Sequence, residues 1–103
     1  MRTRLDFREV LLQTLGIDES RLYFQPSENT KLKYPCCLYK VEDLDLANAD
    51  DIHYKNMVRY TVTIIDADPD SEYWKKLIEI PYSNFDRHYS ADYLNHWVFR
   101  IYY

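Results

Sequence analysis

A chain of 103 residues, 47% of them hydrophobic, suffices for one hydrophobic core and is too apolar for a disordered segment. Its net charge of −4, with scattered basic residues, leaves no electrostatic footprint for nucleic-acid recognition. No apolar run approaches the roughly 18–20 residues of a membrane span, and MRTRLDFREVLLQTLG has neither an apolar signal core nor a small-residue cleavage site. The expectation is a mature cytosolic protein without a membrane anchor, folded as a single domain over 1–103.

In chain order, a helix is predicted over 3–15, with Leu5, Val10, Leu11, Leu12 and Leu15 as its apolar face. Gly16, the only glycine, is placed to take the left-handed position that ends it. A short β-like run over 22–25 follows, then a polar loop, PSENTKLK, bordered by Pro26 and Pro35 and read as a surface excursion. The next strand, CCLYKVEDLDL, starts with apolar residues on both faces, which suits an inner position in a sheet or a face covered by a partner. From Tyr54 the pattern alternates: Tyr54, Val58, Tyr60, Val62 and Ile64 on one side, Lys55, Arg59, Thr61 and Thr63 on the other. Between these two strands a protruding hairpin arm is expected.

The long strand then runs into DADPDSE. Asp68 is predicted to cap a short amphipathic helix, with Pro69 at its first position and Tyr73, Trp74, Leu77 and Ile78 recurring at helical spacing. After Pro81 a β-hairpin closes the chain. In its first strand Phe85, Arg87 and Tyr89 alternate with Asp86 and His88; in its second Tyr93, Asn95, Trp97, Phe99 and Ile101 alternate with His96 and Arg100. Residues 90–92 form the connection. The predicted class is α+β: two helices packed on a mainly antiparallel sheet of four to five strands, with the hairpin arm projecting from it.

Candidate chemistry is thin. Asp66, Asp68 and Asp70 resemble the opening of a calcium loop, yet Pro69 interrupts it and Leu77 stands where a bidentate glutamate belongs. His88 and His96 lie on neighbouring hairpin strands, where cross-strand pairing would bring their rings together in a manner suited to zinc. Two ligands are not a site, however, and structural or exposed histidines are the preferred reading. The adjacent Cys36 and Cys37 cannot cross-link distant parts of a fold and are read as reduced, half-buried thiols. With one glycine in the chain, no glycine-rich turn presents backbone amides to an oxyanion or a phosphate. No catalytic, metal or cofactor site is expected. Two compositional features remain. Eleven tyrosines exceed what one small core encloses and suit interfaces. Glu42, Asp43, Asp45, Asp50 and Asp51 form an acidic stretch without a cation, the candidate interface or channel-lining residues.

The order of elements, the stretch YTVTIIDADPDSEYWKKL and the ending FDRHYSADYLNHWVFRIYY resemble the small tail-terminator (tail-completion or neck) proteins of long-tailed bacteriophages, over about 5–103. The resemblance implies a virion protein, not an enzyme, that forms a homo-oligomeric, hexameric ring on the tail tube. It would stop tube polymerisation and join the head through a head-completion or neck protein, after assembly in the host cytoplasm. No cofactor and no membrane are implied, and DNA would pass the lumen without specific binding. In such a ring the acidic stretch would repel the duplex from the channel wall, or dock on a basic surface of a neighbouring neck protein. The alternatives are another neck component, a head-closure or adaptor protein, and a small ligand-binding α+β domain.

Overall fold

Thr3 opens the first helix, α1 (Arg4–Leu15), with a reciprocal cap: its hydroxyl accepts from the Asp6 amide at 3.2 Å, and its own amide donates to the Asp6 carboxylate at 2.9 Å. Gly16, at φ 66°, ends it, donating its amide to the Leu12 carbonyl. Lys76 Nζ donates to the Leu15 carbonyl at 3.1 Å and so places a cation on the negative end of the helix. The buried stripe is Phe7, Leu11 and Leu15, spaced four apart. Leu5, expected on the apolar face, is 59% exposed, because two residues from Phe7 is more than half a helical turn.

The computed structural model describes residues 3–43 and 57–103. After α1 come a 3-10 turn (Glu19–Arg21), β1 (Leu22–Phe24), β2 (Cys36–Asp43), β3 (Arg59–Asp66), α2 (Tyr73–Leu77), β4 (Ser83–Ala91) and β5 (Leu94–Tyr102). The five strands lie in the order β1-β2-β3-β5-β4, antiparallel except for β1 beside β2, and the fold is α+β. The expected arm over 44–56, with Tyr54 and Lys55 of the alternating strand, lies outside the described residues. The β2–β3 pair runs to Asp43 opposite Arg59, and Val58 adds two backbone hydrogen bonds to Tyr103 on the β5 side.

Both helices pack on one face of the sheet. There Cys37 and Tyr39 of β2, Tyr60, Val62 and Ile64 of β3, and Trp97, Phe99 and Ile101 of β5 form one buried cluster with Phe7, Leu11, Leu15 and Leu77. Aromatic rings anchor it: Phe7 stacks on Tyr60 at 4.2 Å and meets Tyr39 and Tyr103. Trp74 of α2 stacks on Trp97. The inner position expected for β2 holds, between β1 and β3.

Two details depart from the sequence pattern. Asp68 does not cap α2. Its carboxylate accepts from the Asp70 amide, as that of Asp66 accepts from Asp68, so two consecutive Asx turns carry the chain away from β3. The helix begins only at Tyr73, whose amide bonds the buried Ser71 hydroxyl. In β4, Asp86 is a bulge: Phe85 pairs with Phe99 but Arg87 pairs with Val98. Phe85 and Arg87 therefore face opposite sides, instead of sharing one as simple alternation requires.

Candidate interaction surface

Among the described residues, no helix covers the second face of the sheet. Register places three rows across it: Lys40, Thr61, Arg100 and Asn84; then Leu38, Thr63, Val98 and Arg87; then Cys36, Ile65, His96 and Tyr89. Cys36, Ile65 and Val98 are buried here, apart from the main core. The loop joining β1 to β2 is tied down at one end of this face. Tyr23 accepts from the Lys33 amide, and Arg21 donates to the Tyr34 carbonyl at 2.7 Å. Beside β1, Gln25 bonds the Val41 amide, and a groove of about 510 Å³ opens between Gln25, Pro26, Leu38, Lys40, Thr61 and Thr63.

Glu42 belongs to this surface and is not an unpaired member of an acidic block. Its carboxylate accepts from the Thr61 hydroxyl at 2.8 Å and lies 3.4 Å from Arg59 Nε and 3.5 Å from Arg100 Nε. Glu42, from a stretch without a cation in sequence, meets its cations from β3 and β5, which register alone could reveal. Asp43 is the last residue of β2, opposite Arg59. Asp45, Asp50 and Asp51 lie outside the described residues.

The outer edge of the sheet is β4, nine residues long and exposed at all but its first. Asp86 and Arg87 pair with each other at 3.1 Å, and Phe85 is 53% exposed against the edge of Phe99. A two-residue turn, Asp92–Tyr93, joins β4 to β5 in place of the expected connection over 90–92. Both residues adopt positive φ, 53° and 65°, where Gly or Asn is the usual choice, and Tyr93 is fully exposed. Asn95 ties this hairpin to the double turn after β3: its amide donates to the Asp66 carbonyl at 3.4 Å, and its oxygen meets His88 Nε2 and the Ser90 hydroxyl.

The other candidates do not assemble. The carboxylates of Asp66 and Asp68 are engaged by backbone amides. His88 is opposite Trp97 and His96 opposite Tyr89, so the two rings sit on opposite faces: His88 packs on Trp97 and His96 stacks on Tyr89. Among the described residues, no group of three or more His, Cys, Asp or Glu is placed to share an ion. Cys36 and Cys37 are buried on opposite faces of β2. Burial pushes the Cys36 thiol up to about 11 and that of Cys37 higher, so neither is a thiolate near neutrality. No helix of the described residues is long and apolar enough to cross a membrane.

Sequence reasoning missed the basic character of the open face. Lys40, Arg87 and Arg100 are distant in sequence, and only register with the Asp86 bulge puts them together. No family model, curated protein or solved structure matches the chain.

Proposed function

We propose that this chain is a structural subunit of a phage neck, a tail terminator whose copies form a ring on the tail tube, end its polymerisation and offer the surface to which the head joins. The observation that supports this most is the long edge strand β4 with its exposed aromatic residues. Eight of its nine residues are exposed, and Phe85, Tyr89 and Tyr93 of the closing hairpin present their rings to the outside. A fold that leaves this much aromatic and apolar surface suits a subunit enclosed by neighbours. The four aspartates Asp43, Asp45, Asp50 and Asp51 remain candidates for contact with a neighbour or the channel.

An interface of tyrosines and charges need not be tight in isolation, so the free protein should be monomeric or weakly associating and gather into rings on tubes. Added to polymerising tube protein of the cognate phage, it should arrest tube length and appear in electron micrographs as a ring on one end. Tubes that lengthen unchecked, with a permanent dimer that ignores them, would overturn the proposal. The groove beside Lys40 favours a second reading, a small ligand-binding domain. A thermal shift with a small anion and no ring would select that one.

A further inference from the structure

We propose that the open face of the sheet is the seat for the acidic segment, residues 45–51, of a second copy of this chain, so that adjacent subunits are clasped by charge. The inference rests on the ring reading above and names the contact within it. The face carries four cations, Lys40, Arg59, Arg87 and Arg100, against three carboxylates, Glu42, Asp86 and Asp43, the last set opposite Arg59 by register. It is net positive in a chain whose net charge is −4. Glu42 and Asp86 are engaged by Arg59, Arg100 and Arg87, whereas Lys40 is exposed and has no carboxylate partner among the described residues. Lys40 and Arg100 flank Thr61 on adjacent strands, so their Cα atoms stand on the order of 10 Å apart. Lys40 lines the groove with Leu38, Thr61 and Thr63.

The complementary chemistry is in the same chain. Asp45, Asp50 and Asp51 occur within seven positions that hold no Lys or Arg. The strands that flank this segment are neighbours in the sheet: β2 ends at Asp43 and β3 begins at Arg59, with Val58 bonded to Tyr103. The chain between them is long enough to extend at most about 20 Å out and back. That suffices to meet a neighbour. A carboxylate pair docked between Lys40 and Arg100 would gain charge-assisted bonds in a site partly shielded from water.

The sign of the salt dependence distinguishes this clasp from an acidic channel lining. A clasp weakens with salt, whereas like charges crowded round a lumen are relieved by it. Self-association on tube ends or in concentrated solution should fall at least ten-fold between 50 mM and 500 mM NaCl. Two full-length variants complete the test, each checked by thermal melting: Lys40→Glu/Arg100→Glu, and Asp45→Lys/Asp50→Lys/Asp51→Lys. Each alone should lose association at least ten-fold in sedimentation, and an equimolar mixture should recover it. That recovery also excludes misfolding as the cause of the loss. Association of either variant at the wild-type level, or a mixture that stays dissociated, overturns the clasp. So does rescue only when all five changes sit in one chain, which would place the segment on its own face. So does DNA binding by the wild type that the face variant loses. Wild-type rings that cap tubes while the variants associate normally would leave the terminator reading standing and remove only this contact. Clasped copies that never cap tubes would do the reverse.

Discussion

Phe7 is the residue on which the helical layer depends. It is fully buried and touches three tyrosines from three separate parts of the sheet, with Tyr60 stacked at 4.2 Å. Phe7→Ala should cost about 3–5 kcal/mol, a large share of the roughly 5–15 kcal/mol of a domain this size, and should lower the urea midpoint accordingly. The adjacent thiols act through packing. Cys36 has its pKa raised by burial from 9.0 to about 11, Cys37 is raised further, and burial also raises Tyr60. The folded protein thus keeps protons that the unfolded chain releases above pH 9. Stability is full below that point and is lost as pH rises through 11. Melting temperatures from pH 8 upward should fall past 9, and Cys36→Ala/Cys37→Ala should flatten that decline while leaving assembly intact. Loss of assembly by the folded double variant would contradict it.

At the scale of the element, the turn Asp92–Tyr93 sets stability against use. A tyrosine held at φ 65° crowds its own Cβ against the backbone, and nothing nearby repays it because the ring is fully exposed. Tyr93→Gly should stabilise the isolated protein by about 1 kcal/mol and, if the tip is an anchor for a neighbour, weaken ring formation. A variant that is more stable and assembles equally well would deny the tip any role. Elements whose signals are local were legible in the sequence. α1 with its terminating Gly16 is one, and the closing hairpin is another. Where two local chemistries competed, the pattern misled: Asp68 suits a helix cap and an Asx turn equally, and the turn won. Bulges were hidden for a related reason. An extra residue at Asp86 leaves no mark on composition, yet it turns Arg87 towards the open face and His88 towards Trp97. The basic face followed from that shift and from Lys40 and Arg100 meeting across β3.

For the whole molecule, one side of the sheet is a closed aromatic core, and no helix of the described residues covers the other. The Asp86 bulge bears on solubility. β4 offers nine residues of open edge, and a flat edge of that length templates strand after strand into insoluble aggregate at high concentration. The extra residue kinks the ladder near its middle and puts a paired Asp86 and Arg87 where an intruding strand would have to pass. Deleting Asp86 should straighten the edge. The expected result is a protein that precipitates on concentration and binds an amyloid dye, while the wild type stays clear. A deletion variant that remains soluble at the same concentration would show that the edge is guarded elsewhere. On this view a single residue keeps the chain from polymerising through its own edge.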